Sequence, residues 1–166
     1  MGLESISLSS CMTINVKMIP SDKGLFNVCR IMKDDRIGSV IVVDESRHKN
    51  PIGIITERDI VNYLSSPEGN LLMQVKEIMS KPLITALETQ SLLDALQTMQ
   101  NNNFRRLPII NKEGKLVGIV TDKDIFKAII KNKDLVSDLS KNSNLQLSQS
   151  TLEKYKEYLV KIFSIK

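Results

Sequence analysis

The 166-residue chain has little of the residues from which several common kinds of site are built. It holds two cysteines, one histidine and no tryptophan, and aromatic residues make up 4% of it. So few rings argue against a stacking surface for single-stranded nucleic acid, where successive bases lie on exposed aromatic side chains. Cys11 and Cys29 form neither a C-x-x-C pair nor a metal-type cluster, which indicates reduced thiols in a cytoplasmic protein. His48 lies alone in the charged loop 45–50 and is typical of a solvated residue.

Long apolar runs and a large excess of one charge are also missing. No apolar stretch approaches the roughly 18 residues of a membrane-spanning helix, and residues 1–12 lack the charged start and apolar run of a signal peptide. Residues 1–130 carry 16 Lys+Arg against 15 Asp+Glu, and residues 131–166 carry 7 against 4, so +3 of the net charge of +4 lies in the tail. A surplus of this kind is typical of a solvated helix face, so we expect neither a membrane nor a nucleic acid as partner.

The sequence does contain an internal repeat. The segment Gly-Ile-Ile-Thr-Glu-Arg-Asp-Ile at 53–60 recurs as Gly-Ile-Val-Thr-Asp-Lys-Asp-Ile at 118–125, and upstream the match continues at a slightly longer spacing, as between Met12 and Met79. Within each copy the apolar residues pass from helical spacing to short β-branched runs and back to a helix, which predicts the order β-α-β-β-α. The predicted strands include 39–43, 52–55, 107–110 and 116–120, and the closing helices are roughly 57–65 and 122–131.

One such unit encloses little core, which predicts an α/β fold in which two repeats pack sheet to sheet. We assign residues 10–66 and 72–131 to the repeats, because the connection at 65–70 is rich in Ser, Pro, Gly and Asn. Residues 132–166 form a C-terminal extension. In it, Ser150 and Glu153 have the spacing of a capping box and predict an amphipathic helix over about 151–164. The apolar stripe of that helix needs a surface to dock on, which is the body, a second copy or a partner.

The repeated motif has the features of an anion site. A glycine near the end of a strand lets a ligand approach closely, and the free N–H groups of a helix that begins directly afterwards attract a phosphate. Thr56 and Thr121 place a hydroxyl at that point, and Asp59 and Asp124 follow with two oxygens each, enough for both hydroxyls of a ribose. The same spacing also fits a plain helix cap, in which the threonine and the acidic residue satisfy each other's N–H groups. Both interpretations stay open on the sequence alone.

With both motifs in register, the chain resembles the paired cystathionine-β-synthase (CBS) domains, or Bateman modules, over about residues 10–131. The resemblance implies two tandem repeats with pseudo-two-fold symmetry and two clefts between them that take AMP, ADP, ATP or S-adenosylmethionine. It assigns the ribose hydroxyls to Asp59 and Asp124, and the phosphate or its junction with the ribose to Thr56 and Thr121. By position it adds as ligand-binding candidates Arg58, Lys123, Val16, Lys17, Leu83, Ile84, Thr85, Ser39 and Arg106.

The two clefts are not equivalent in this chain. Arg106 stands in repeat 2 where repeat 1 has Ser39, so one cleft offers a guanidinium to a phosphate and the other only a neutral hydroxyl. We therefore expect unequal affinities. The alternative for Arg105 and Arg106 is a solvated start of a strand.

The sequence shows no sign of a catalytic site. It has no nucleophile with a partner base, no metal-spaced ligand cluster and no Walker loop, so we expect neither an enzyme nor a catalytic cofactor. We predict a regulatory module in which a bound nucleotide shifts the packing or the oligomeric state and an effector protein reads the change. The resemblance also implies a homodimer. The alternative is an adaptor whose C-terminal tail binds a protein or nucleic acid while the clefts stay empty.

Overall fold

A computed structural model describes residues 3–47 and 50–131, so His48 and the predicted tail helix at about 151–164 lie outside the described residues. The predicted order β-α-β-β-α occurs twice and is confirmed. Repeat 1 contains β1 Met18–Pro20, α1 Leu25–Asp35, β2 Ser39–Asp44, β3 Asn50–Thr56 and α2 Glu57–Leu64. Repeat 2 opens with a short helix, α3 Val75–Ile78, and continues with β4 Ala86–Leu87, α4 Leu92–Asn101, β5 Arg106–Ile110, β6 Leu116–Thr121 and α5 Asp122–Lys131.

Each repeat contributes a three-stranded sheet, with the strand orders β1-β2-β3 and β4-β5-β6. The first strand of each sheet runs parallel to the second, so the connection between them is a crossover through α1 or α4. Strand β2 pairs antiparallel with β3, and this register places Ser39 opposite Thr56. Two of the ligand-binding candidates are therefore neighbours on adjacent strands.

The segment around the start of repeat 1 pairs with repeat 2. We call residues 6–13 the N-terminal arm. The backbone N–H of Leu8 donates to the carbonyl of Gln90 at 2.9 Å, and that of Leu92 donates to the carbonyl of Ile6 at 3.0 Å. The Leu8 side chain is completely buried. The arm therefore supplies a core side chain at the start of α4, although the whole of repeat 1 separates the two in the sequence.

The first residues of repeat 2 make the equivalent contacts with repeat 1. We call residues 73–80 the linker arm. The N–H of Leu25 donates to the carbonyl of Met73 and the N–H of Val75 donates to the carbonyl of Lys23, both at 2.8 Å. Val75 is buried in the same cluster as Leu25, and the internal repeat aligns it with Leu8. The two arms are thus equivalent, and each one belongs structurally to the other repeat.

The last residues of the arms pair with the strands that carry the repeated motifs. Thr13 and Ile119 exchange both backbone hydrogen bonds, each at 2.9 Å. Ile54 and Ser80 do the same, with distances of 3.2 Å from the Ile54 N–H and 2.8 Å from the Ser80 N–H. Each arm therefore runs beside the strand that leads into a Thr-x-x-Asp motif.

The compact units of the molecule differ from the repeats, and the arms account for part of the difference. One unit contains residues 3–12, 89–107 and 120–131, and the other contains 13–47, 50–88 and 108–119. Each unit takes residues from both repeats, and the limits 10–66 and 72–131 for the repeats stay predictions. The buried apolar residues of the first unit are Leu8, Leu92, Ala95, Leu96, Met99, Leu107, Val120, Ile125, Phe126 and Ile129. The main cluster of the second is Ile19, Leu25, Val28, Met32, Val40, Val42, Ile55, Ile60 and Val75.

Candidate functional site

In repeat 1 the motif forms a capping box at the start of α2. The carboxylate Oδ2 of Asp59 accepts from the backbone N–H of Thr56 at 2.7 Å and from its hydroxyl at 2.6 Å. The N–H of Asp59 donates in return to the hydroxyl oxygen of Thr56 at 3.4 Å. The threonine ends β3 in extended conformation, which aims its side chain at the first turn of the helix.

In repeat 2 the motif has the same geometry at the start of α5. Oδ2 of Asp124 accepts from the Thr121 N–H at 3.0 Å and from its hydroxyl at 2.6 Å, and the Asp124 N–H donates to the hydroxyl oxygen at 3.3 Å. The capping alternative therefore describes both motifs as they stand. These contacts use only the Oδ2 oxygen of each carboxylate, so the caps are compatible with ligand binding through Oδ1. Ligand binding by the two aspartates remains a prediction.

The second carboxylate oxygen distinguishes the two motifs. Oδ1 of Asp59 accepts from the hydroxyl of Ser80 in the linker arm at 3.1 Å. Among the described residues, Oδ1 of Asp124 has no hydrogen-bond donor. Sequence analysis missed Ser80, although a signal existed, since Thr13 places a hydroxyl residue at the equivalent position of the N-terminal arm.

Gly53 is required where the linker arm crosses the strand of repeat 1. A Cβ built on Gly53 would lie 2.4 Å from Sδ of Met79 and 3.1 Å from the carbonyl oxygen of Ser80. The absence of a side chain therefore lets the arm lie directly against β3. The glycine of the repeated motif here makes room for the Met79 side chain and the Ser80 carbonyl, which is a different use from the ligand approach that the sequence suggested.

The strands paired with the motif-bearing strands, β2 in repeat 1 and β5 in repeat 2, begin beside the motifs. Opposite Thr56, Ser39 is half-buried, and the carbonyl of Gly38 accepts from the N–H of Glu57 at 3.3 Å. In repeat 2 the carbonyl of Arg105 accepts from the N–H of Asp122 at 3.2 Å. Ser39, Thr56, Asp59 and Ser80 therefore form one cluster of polar side chains in a single compact unit.

Arg106 begins β5 at the position that Ser39 has in β2, and it is half-buried. Arg58 and Lys123 follow the N-cap threonines by two residues, and both are exposed. Repeat 1 therefore has one of these cationic side chains, Arg58, and repeat 2 has two, Arg106 and Lys123. Whether they meet a phosphate stays a prediction.

The remaining predicted ligand residues lie just before strands rather than within them. Lys17 precedes β1; its carbonyl accepts from the Ile41 N–H at 3.0 Å, and its ammonium lies 2.7 Å from the carboxylate of Asp35. The N–H of Val16 donates to the carbonyl of Ile14 at 2.9 Å, and β1 begins two residues later. The segment that precedes β4 consists of Leu83, Ile84 and Thr85, and these residues belong to a different compact unit from Thr121 and Asp124.

The N-terminal arm places a thiol within the electrostatic reach of the second motif. Burial and, to a smaller extent, the carboxylate of Asp124 raise the pKa of the Cys11 thiol from its ordinary value of 9.0 to about 11. Burial also raises the pKa of the Cys29 thiol. Because the thiolate is the reactive form, both cysteines are poor nucleophiles at neutral pH.

We expect Cys11 in a Cys29→Ala variant to react with iodoacetamide at pH 8 about a hundredfold more slowly than a free thiol, which is the thiolate ratio for the two pKa values of 9.0 and about 11. The rate should rise tenfold per pH unit up to pH 10. Asp124→Asn should speed the reaction because it removes the negative charge that raises the pKa of Cys11. A plateau near pH 9 would contradict the assignment. Since the folded thiol has the higher pKa, the associated stability is present below pH 9 and is lost as the pH rises toward 11.

Residues 3–47 and 50–131 lack the features of two further classes of site. No helix there combines the length and the apolar character that crossing a lipid bilayer requires. The same ranges contain no group of three or more histidine, cysteine, aspartate or glutamate side chains arranged to hold a metal ion.

Comparison with protein families gives two tandem matches to one model. The model, described as CBS domain, matches residues 7–66 and 75–131. An uncharacterized 17.7 kDa protein of Acidianus ambivalens is 35% identical over 123 residues, which cover 74% of this chain and 73% of the relative. An uncharacterized protein of Methanopyrus kandleri is 42% identical over 97 residues, 58% of this chain, and the chain spans about half, 48%, of that relative's length.

Solved structures share the fold at lower identity. A CBS domain protein of Pyrobaculum aerophilum complexed with AMP has a TM-score of 0.67 at 20% identity, and the match covers 92% of this chain and 99% of that one. A CBS domain pair in complex with 5′-methylthioadenosine and S-adenosyl-L-methionine also has a TM-score of 0.67, at 24% identity, with 76% and 97% covered.

Proposed function

The chain belongs to the CBS-domain family, and from that premise we propose that it is a non-catalytic regulatory module that binds an adenosine-type ligand at its Thr-x-x-Asp motifs. The observation that carries the proposal is the duplicated pair Thr56–Asp59 and Thr121–Asp124, each at the N-terminus of a helix that directly follows a strand. AMP, 5′-methylthioadenosine and S-adenosylmethionine, the ligands named for two structural neighbours, have adenosine in common. The candidates are therefore AMP, ADP, ATP and S-adenosylmethionine.

The motif supplies the chemistry that a ribose needs. A carboxylate accepts two hydrogen bonds on each oxygen, so an aspartate whose Oδ2 caps a helix can still accept from ribose hydroxyls through Oδ1. Asp124 offers that oxygen without a competing donor among the described residues. Lys123, the residue before it, and Arg106, at the start of β5, carry positive charge suited to a phosphate. Repeat 2 is therefore the stronger of the two proposed sites.

We further propose that the protein acts as a homodimer and that ligand occupancy changes its packing or association, which an effector protein reads. The supporting observation is an apolar face of α2. Val61 and Leu64 are 63% and 40% exposed, whereas their equivalents in α5, Phe126 and Ile129, are 4% and 1% exposed. A second copy would remove this apolar face from water.

Calorimetric titration of the nucleotide-stripped protein with AMP, ADP, ATP and S-adenosylmethionine tests the proposal. We expect at least one of them to bind with micromolar strength. Asp124→Ala should weaken binding at least tenfold, because it removes charge-assisted hydrogen bonds worth about 1.5–3 kcal/mol. AMP analogues that lack the 2′ or 3′ hydroxyl should lose a similar factor. Light scattering with and without the ligand reports the change of association.

Asp94→Ala is the matched control. Asp94 forms the same capping box with Ser91 at the start of α4, with Oδ2 accepting at 2.9 Å and 2.8 Å, but it lies outside the repeated motifs. Its replacement should cost about 1 kcal/mol of stability and leave ligand affinity unchanged. If Asp124→Ala and Asp94→Ala behave alike, or if no ligand produces heat, the motifs are helix caps only and the proposal fails.

A further inference from the structure

We propose that Ser80 is a built-in competitor of the ligand in repeat 1, so that its hydroxyl lowers the affinity of that site for an adenosine-type ligand. The inference rests on the proposed function and adds a regulatory residue to it. In repeat 1 both oxygens of the Asp59 carboxylate are engaged, Oδ2 by Thr56 and Oδ1 by the Ser80 hydroxyl at 3.1 Å. In repeat 2, Oδ1 of Asp124 accepts no hydrogen bond from the described residues.

The backbone holds Ser80 in this position. Its N–H and carbonyl both bond to Ile54 in β3, two residues before Thr56. Met79, the preceding residue, lies against Gly53 so closely that a Cβ there would come within 2.4 Å of its sulfur. The hydroxyl therefore needs only a side-chain rotation to reach Asp59. Forming this hydrogen bond loses less conformational entropy than ordering two long exposed side chains would.

A ribose that binds Asp59 must take over Oδ1 from Ser80 or share it. Losing an intramolecular hydrogen bond of ordinary strength on binding corresponds to a two- to tenfold lower affinity. Ligand binding would also free the Ser80 hydroxyl, which belongs to the linker arm that leads into repeat 2. Occupancy of repeat 1 would thus change the hydrogen bonding of the linker arm, which lies at the start of repeat 2.

The test measures AMP affinity by calorimetry in an Asp124→Ala background, where only repeat 1 keeps its aspartate. Adding Ser80→Ala should tighten AMP binding two- to tenfold, and adding Ser80→Thr, which keeps the hydroxyl, should leave it unchanged. Ser91→Ala is the control, because it removes a hydroxyl that donates to a capping carboxylate, Asp94, at 2.8 Å outside the motifs. Thermal unfolding checks that each variant is folded, and if the double variant is not, Ser80→Ala alone is compared with the unsubstituted protein.

Unchanged or weaker AMP binding by the Ser80→Ala variants would overturn the inference, and weaker binding would mean that the hydroxyl assists the ligand. If Asp124→Ala alone abolishes detectable binding, a gain of binding on adding Ser80→Ala supports the inference and no gain overturns it. The proposed function fails separately, when the unsubstituted protein binds neither AMP nor the other three ligands.

Discussion

Leu8→Ala is expected to lower the free energy of unfolding by about 2–5 kcal/mol, the range for removing a fully buried leucine side chain from a core. Leu8 is completely buried, and its backbone is hydrogen-bonded beside the start of α4. The loss should be felt most in the compact unit that contains α4 and α5. Urea unfolding gives the size of the effect, and amide hydrogen exchange shows whether protection falls first in those two helices.

Leu72→Ala is the matched control, since it is the same substitution next to the linker arm at a side chain that is 81% exposed. It should change stability by less than about 0.5 kcal/mol. A cost below about 1 kcal/mol for Leu8→Ala, close to that of the control, would show that the N-terminal arm can leave its place without disturbing the core.

Gly53→Ala is expected to cost about 1–3 kcal/mol, because it forces atoms into a space that is already filled. The added methyl would lie 2.4 Å from Sδ of Met79 and 3.1 Å from the Ser80 carbonyl oxygen. Met79→Ala removes the side-chain atoms that the added methyl would meet. The stability loss of the double variant should therefore be smaller than the sum of the losses of the two single variants. Chemical denaturation of all four proteins gives this coupling energy.

Gly24→Ala serves as the control for the loss of glycine itself. A Cβ at Gly24 would meet its nearest atoms, the carbonyl oxygens of Leu71 and Leu72, at 3.5 Å, which is ordinary contact. Its cost should stay below that of Gly53→Ala. Equal costs for the two variants, or strict additivity between Gly53 and Met79, would contradict the close approach of the linker arm to β3.

The repeated elements could be predicted because their signals are local. Apolar residues at helical spacing identified α1 and α4, and Leu25, Val28 and Met32 are buried as that pattern requires. The Thr-x-x-Asp spacing identified the starts of α2 and α5 and also raised the capping alternative that both motifs adopt. In each case the interacting residues lie within a few positions of each other.

The arms could not be predicted in the same way because their partners are remote. Ile6 and Leu8 alternate with serines, but the run is too short to predict a strand or its partner, and Gln90, to which Leu8 is hydrogen-bonded, lies in repeat 2. Ser80 looks like an ordinary loop residue until it is seen to lie beside Asp59, 21 positions earlier. The alignment of Leu8 with Val75 and of Thr13 with Ser80 in the internal repeat was the one available clue, and it marks positions without stating what they contact.

Because each arm packs on the other repeat, the two repeats depend on each other for a complete core, although their sequences are similar. Each compact unit contains residues from both repeats. Dividing the chain in the connection at 65–70 would therefore give two fragments that each lack part of their core. A single copy, as it now stands, lacks the residues that close it. We therefore expect neither fragment to fold as stably as the intact chain.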